Sequence, residues 1–478
     1  MKSPIIAKNK RYGFYQFFNF TRLSSGKKGR KLLTSLQKKH SCIVNRHCPT
    51  HRERTAGYRF LNNTRVTEED LIKALQYQCR QNCDGLHVIG IQDTTEYNYS
   101  RHKLRLKEDT LGVVGNNEDT GYFAHVMVAF DALRCLPQGI SYCKMWSRPQ
   151  QRTSLEQRRY KNLPIEDKES YRWLEAADQT KSLLKTARHF TFLSDRESDI
   201  YQLWDRVPDA KTDFIIRARG DRPVFDEEAT IFEMLNQRPV EGSYTIELKE
   251  DKRAKRSKRT ALIQVKYMEV AIKKPRATAT KEVIKNHVVL RVVEAREMPG
   301  NNNPDEALVH WILFTTHAVN DFEQACRIIN WYTFRWQIEQ FFRLTKSKGI
   351  DLESSQLESG EGLKKLGLLG FASALRILQM SLARDGIVND RVQKYFNPQE
   401  VKVLYLLDKE LKGTTLKQQN PHRKDTLAWA SWVIARLGGY SGYSSQSPPG
   451  PLTYKWGLQE FNLINQGFNL AGKDVYKE

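Results

Sequence analysis

Negative charge is almost missing from the start of this chain: the first 54 residues hold 14 Lys and Arg against a single acid, Glu53. A stretch that one-sided cannot neutralise itself, and it favours a polyanionic partner. The full 478 residues carry a formal charge of +22, with a pI near 9.5. No apolar run has the length of a membrane span and no signal-peptide core opens the chain, so no membrane partner is expected. Cysteine is sparse. Its seven positions (42, 48, 79, 83, 135, 143, 326) are odd in number and irregularly spaced, which argues against a disulfide framework and for reduced thiols. His40, Cys42, His47, Cys48 and His51 crowd together, but neither Cys pair has C-x2-C spacing. Buried thiols beside surface histidines are the default there, with zinc the alternative.

What is present suggests about three domains, and 40% hydrophobic residues suffice for sizeable cores. Arg11 to Leu23 is aromatic and basic, and Gly29 to Lys39 reads as a short amphipathic helix between basic ends. A small aromatic-packed bundle with cations outside would be a DNA-binding module; a disordered basic tail is the competing reading. Val66 to Gln81, opened by Thr67 with Asp70 three residues on, predicts a capped helix. From Leu86 to Gly220 the pattern is mixed α/β, with strands near 86–92, 121–130, 139–145, 190–194 and 213–219 and helices near 167–187 and 197–206. Residues 224–319 then alternate as strands. Beyond Lys348, helices are expected over Gly362–Ala383, Asn397–Lys412, Thr426–Leu437 and Leu452–Leu470. Such apolar helices either pack on the rest of the chain or pair with a second subunit.

Chemistry concentrates in Trp331 to Lys348, a stretch free of Gly and Pro that reads as one helix. At ~100° per residue, Tyr332, Arg335, Glu339 and Lys346 share a stripe about 60° wide, while Phe334, Ile338 and Phe341 gather on another face. A solvated charged face with an i,i+4 ion pair gives the same pattern. Two further acids stand where apolar runs end, Asp93 after Leu86–Ile91 and Asp195 after Phe190–Leu193. The carboxyl ends of buried strands are where α/β sheets put ligands, although a lone Asp there is commonly a turn former or helix cap. Three convergent carboxylates, however, repel one another unless cations compensate.

These residues carry a resemblance. IQDTT with Asp93, SDRESDIY with Asp195, and Y-x2-R-x3-E-x6-K at Tyr332, Arg335, Glu339 and Lys346 resemble the motifs of bacterial cut-and-paste DDE transposases of the insertion-sequence-four group. Weaker matching blocks are Gly57–Asn63, Met145–Pro149 and Trp429–Gly439, so the likeness spans nearly the whole chain and thins before Gly57. The resemblance implies an α/β fold: an RNase H-like catalytic core over 83–360 with a β-rich insertion at about 224–310. It implies a helical DNA-binding region over 1–82 and a helical dimerisation region over 361–478. Asp93, Asp195 and Glu339 would be catalytic and would hold Mg²⁺ or Mn²⁺, two ions in all. Tyr332, Arg335 and Lys346 would hold DNA phosphates, with Arg217, Arg219, Arg30, Lys31, Lys38 and Lys39 as further DNA-binding positions.

The implied partners are transposon-end DNA, target DNA and a second copy of the chain in a synaptic complex, in the bacterial cytoplasm at the nucleoid. The implied reaction is nicking, hairpin formation, hairpin opening and strand transfer. Trp311, in LVHWILFTT, would receive a base flipped out at the hairpin; in such a strand a Trp is otherwise a core residue. A related nuclease, or a DNA-binding protein of this fold without catalysis, is the alternative function.

Overall fold

The computed structural model describes residues 26–471 apart from 49, 108–110, 151–159, 249, 251–255, 277–279, 301–305, 348, 387–389 and 444–445. The aromatic run Arg11–Leu23 lies outside the described residues. Four helices come first: α1 (Gly26–Lys39), α2 (Val44–His47), α3 (His51–Leu61) and α4 (Glu68–Asn82). Reciprocal capping by Thr50 with Glu53, and by Thr67 with Asp70, starts α3 and α4. The first of these boxes, and with it α3, was not anticipated.

Next come β1 (His87–Asn98), β2 (Gly112–Val114), β3 (Asp119–Asp131), β4 (Pro137–Trp146), α5 (Arg172–Leu183), β5 (His189–Ser194), α6 (Tyr201–Arg206) and β6 (Thr212–Arg217). Strands β4, β3 and β1 are antiparallel neighbours, and β5 and β6 continue the sheet parallel to β1. This central mixed sheet is consistent with the expected RNase H-like core. One expectation needs correcting: β1 does not stop before Asp93. Its ladder with β3 runs from Val88↔Asp131 to Asn98↔Gly121, whereas its parallel ladder with β5 stops at Ile91↔Leu193. Asp93 is therefore mid-strand on one side and just past the end of pairing on the other.

The insertion holds α7 (Ile231–Gln237), β7 (Gly242–Leu248), β8 (Arg259–Lys273), β9 (His287–Glu297) and β10 (His310–Thr315). Its strands extend the same sheet, in the order β6-β10-β9-β8-β7, with β10 antiparallel to β6.

The charged stretch is two helices, α8 (Phe322–Thr333) and α9 (Trp336–Thr345), where one helix over 331–348 was expected. Asp321 caps α8, accepting from the Gln324 N–H at 2.7 Å, which moves the start nine residues upstream. At the joint, the Phe334 and Arg335 N–H groups bond to the carbonyls of Trp331 and Tyr332, both at 3.0 Å. These three-residue bonds tighten the chain into a 3₁₀ turn. Lys346 follows α9 in extended backbone (φ −96°, ψ −166°) and so leaves the helical stripe.

Four helices close the described chain: α10 (Gly360–Ala383), α11 (Pro398–Glu410), α12 (Leu427–Leu437) and α13 (Pro451–Ala471). Contrary to the sequence expectation, α10 is long and apolar enough to cross a membrane. It is nevertheless a core helix, with 94% of its most apolar stretch buried. It touches α1, α3, α4, β4, α9, α12 and α13. Each fully buried Leu or Phe on such a helix contributes ~1.5–3 kcal/mol before chain entropy is counted. Its cations are buried but partnered: Lys365 Nζ donates to the Asn63 carbonyl at 3.0 Å, and Arg376 Nη2 to that of Tyr395 at 3.0 Å. Helices α12 and α13 meet at Gly438 and Gly457, where a Cβ would come within 2.0 Å of the Thr453 carbonyl oxygen and 1.8 Å of that of Ile434.

Leu32, Leu33 and Leu36 of α1 are all buried, where α1 packs on α2, α3, α10 and α13. His40 is buried too, its Nδ1 2.7 Å from Ser373 Oγ, so it is not the surface histidine expected. All seven cysteines are free thiols.

Candidate active site

Asp93 on β1 and Asp195, directly after β5, each lie two residues beyond the last pair of the parallel ladder, Ile91↔Leu193, close enough for the Asp195 charge to act on the Asp93 carboxyl. Each makes a local bond of the turn-forming kind. Asp93 Oδ1 accepts from the Thr94 N–H at 2.7 Å, and Asp195 Oδ1 accepts from the Glu197 N–H at 2.8 Å, capping a short 3₁₀ turn. Glu339 arrives from α9 across the sheet. Between it and the first acid stands Arg335: Nη2 lies 2.5 Å from Glu339 Oε1, and Nη1 3.7 Å from Asp93 Oδ2. The i,i+4 pair read from the sequence exists, and it reaches a third residue.

The electrostatics are those of a site short of positive charge. Burial first, and then the neighbouring Asp195, push the Asp93 carboxyl up to about 7. Opposing contributions from the Thr94 N–H and Arg335 do not cancel them. The donor set fits hard divalent cations, since three carboxylates of which one resists ionisation are what such ions stabilise. Asp93, Asp195 and Glu339 are the residues that would hold them.

Tyr332 is buried, not displayed on an open stripe, yet its phenol hydrogen-bonds with Arg335 and feels Arg217 and Asp195. Arg217, at the end of β6, donates to the His310 carbonyl at 3.0 Å and lies near Arg196, Tyr332, Arg335 and Asp195. Trp311 on β10 is partly buried, edge-on to Tyr332 at 5.5 Å between ring centroids. Lys346 is half-buried, with Nζ 5.8 Å from the Tyr97 ring centroid. Arg219 is exposed, its N–H given to Asp199 Oδ2 at 2.6 Å. The basic residues of α1 are apart from this cluster. Lys31 is exposed, Lys38 and Lys39 are half-buried, Lys38 acts on buried Glu400, and the Arg30 side chain is outside the described set.

Several neighbours had no signal in the sequence spacing. Arg172 Nε donates to Thr94 Oγ1 at 2.9 Å and Nη2 to Glu197 at 2.8 Å. Thr94 Oγ1 is 2.8 Å from His125 Nδ1, whose Nε2 is 3.1 Å from Gln92 Oε1, and Gln92 Nε2 donates to Ser194 Oγ at 3.2 Å. This buried relay ties β1, β3, β5 and α5 together directly beneath Asp93, fixing where its strand sits. Beside it opens a groove of about 430 Å³ lined by Arg172, Arg148, Lys346, Phe123 and Trp146 among others. The Phe123 and Trp146 rings stack at 5.3 Å, and Arg148 lies 4.6 Å over Phe123. Cations beside aromatic faces suit a nucleic-acid strand, but Glu96, Glu169 and Glu197 line the groove too, Glu169 paired with Arg148 and Glu197 with Arg172. The Met145–Pro149 block was the only hint of it.

Residues 173–375 match the family described as Transposase DDE domain. The matched segment takes in β5, the insertion and α9, hence Asp195 and Glu339, and begins after Asp93. The match, over less than half of the chain, supports a relationship to DDE transposases.

Proposed function

We propose that this chain is a transposase of the insertion-sequence-four group that binds transposon-end DNA, cleaves it by metal-dependent hydrolysis through a hairpin intermediate, and joins it to target DNA. One observation carries this reading. Asp93, where β1 outruns its parallel partner, lies within reach of the Asp195 charge at the end of β5 and is linked through Arg335 to the helical Glu339, in a setting that holds Asp93 up to about 7 until positive charge arrives.

Asp93, Asp195 and Glu339 would hold two Mg²⁺ or Mn²⁺ ions, which when bound supply Lewis acidity toward a water and a departing phosphate-ester oxygen. Arg335, hydrogen-bonded by Tyr332 and Glu339, is fixed to meet a phosphate next to the carboxylates, and Arg217 borders it. Lys346, Arg172 and Arg148 line the route along which a strand would leave. Trp311, half-exposed over Tyr332, offers a face for an unstacked base. Lys31, with Arg30, Lys38 and Lys39, would add phosphate contacts from the N-terminal region over 1–82. The helices beyond residue 361 would pair two copies in a synaptic complex: α13 exposes Trp456, Leu463, Ile464 and Phe468 in this single chain.

The test starts from duplexes selected for binding out of random DNA. With Mg²⁺, the wild type should nick them, form hairpins and transfer the ends to a plasmid, and chelation should silence all three. Nicking without strand transfer would make the chain a related nuclease; binding with no cleavage under any divalent metal would refute the reading.

A further inference from the structure

The opposite end of the same strands holds a cluster that the proposed chemistry does not use. His189 opens β5, Asp213 is the second residue of β6, and His317 follows β10 where the insertion rejoins the core. His189 Nε2 lies 2.8 Å from Asp213 Oδ2, and His317 Nδ1 lies 3.3 Å from the same oxygen. One donor atom from each residue falls within 4.8 Å of the others. Their side chains are 27%, 19% and 15% exposed, enough for an ion to enter and too little for water to dominate.

We propose that His189, Asp213 and His317 form a second metal site, distinct from the carboxylates, that takes a borderline cation of the Zn²⁺ class. Two imidazoles and a carboxylate are a three-ligand zinc set with one position left open, and nitrogen donors select against Mg²⁺. The surroundings include an outer shell. Thr191 Oγ1 is 2.8 Å from His317 Nε2, which orients that ring with Nδ1 toward Asp213, and is also 2.8 Å from His87 Nε2. The Trp331 ring packs against His317 and His87, at 5.1 and 5.4 Å between centroids. In the tautomer with His317 Nε2–H donating to Thr191, the Nδ1 lone pair faces a carboxylate oxygen and a cation between them relieves the repulsion; in the other tautomer Nδ1–H donates to Asp213 and metal binding displaces that proton. Along β5 the site is ~20 Å from Asp195, at ~3.3 Å per residue, so an ion there would not be a catalytic one. It would clip β5, β6 and the returning insertion strand together.

The test uses the full-length chain, stripped with chelator and dialysed against Zn²⁺ under a large excess of Mg²⁺ that fills the carboxylate end. The expected result is one Zn²⁺ per chain by elemental analysis, with nitrogen scatterers in the zinc X-ray absorption spectrum. Retention is expected in Asp195→Asn, and at least a tenfold weaker affinity in His189→Gln and in His317→Gln. Zinc unchanged in the histidine variants, or lost only in Asp195→Asn, overturns the site, and so does a wild type that retains none. If the histidine variants do not fold, the wild-type spectrum decides: a shell of oxygen alone overturns the proposal and two nitrogens support it.

Discussion

The two ends of β5 answer the same question in opposite ways. At its carboxyl end, like charges are brought together: Asp195 sits beside Asp93, Glu339 approaches from α9, and one guanidinium is shared. At its amino end, a single carboxylate, Asp213, is flanked by two imidazoles that can each donate to it. The first arrangement is destabilised by its own ionisation and calls for added cations. The second is satisfied by protons alone, so a metal there would reinforce the fold without being required for the fold to form. The lesson is that donors able to hold a metal say little by themselves. The imbalance of charge tells a site that must be filled from one that merely accepts.

Five measurements would sharpen or break that contrast, from the largest effect down. Asp195→Ala should lower Mg²⁺-dependent nicking by on the order of 10³-fold or more while end binding and zinc content hold; near-normal nicking would remove Asp195 from the metal set. Asp93→Asn should stabilise the metal-free chain, because a raised pKa means the folded state favours the proton. That contribution is complete below the unfolded carboxyl's value near 4 and is lost as pH rises through about 7, so the variant's advantage should grow across this window to at most roughly 4 kcal/mol. A melting-temperature difference that is flat from pH 4 to 8 would contradict it, and saturating Mg²⁺ should erase it.

The amino end should behave in the reverse sense. Burial first, then His189 and His317, hold His87 down to about 4, so its share of stability is present above the free value near 6.5 and lost as pH falls through about 4. His87→Gln should therefore flatten acid unfolding by at most about 3 kcal/mol, and unchanged acid melting would refute this. Thr191→Val, which removes the hydroxyl between His87 and His317, should weaken zinc ~10–100-fold, read by competition with a chromophoric chelator. The smallest effect is expected of Trp311→Ala: first nicking near normal, hairpin formation slowed ~10-fold, partly restored by an abasic nucleotide near the cut. Equal slowing of both steps with a lower melting temperature would mark Trp311 as purely structural.

What the sequence disclosed depended on whether the signal was local. Asp93 and Asp195 stood out because each follows a short β-branched run, and Glu339 because Arg335 precedes it by four residues; in the fold Arg335 links Glu339 to Asp93, and the Asp195 charge reaches Asp93. Tyr332 misled: helical phase put it on an open stripe, but the packing of α8 on β6, β8 and β9, with Trp311 edge-on to the ring, decides its burial. The joint at Phe334–Arg335 was hidden because both residues keep helical dihedrals and no Gly or Pro marks it. The relay Ser194–Gln92–His125–Thr94–Arg172 joins four elements, and no periodicity in one segment announces partners in another. The histidine cluster was hidden for the same reason, although His87, His189 and His317 each border an apolar strand, a recurrence that was there to be noticed.

The burial of α10 has a consequence for how the chain is made. Its contacts with α1 span a sequence separation of 333 residues at His40 and Ser373. At ~5–20 residues per second, the first described helix would wait roughly 20–70 s on the ribosome before the α10 part of its packing surface exists. During that interval the basic N-terminal segment is tethered to the translating ribosome with its apolar side open. A message cut short before the codons for α10 would yield a product that still contains every strand of the sheet and all three carboxylates, but whose first helices lack the α10 surface that α1, α3 and α4 share.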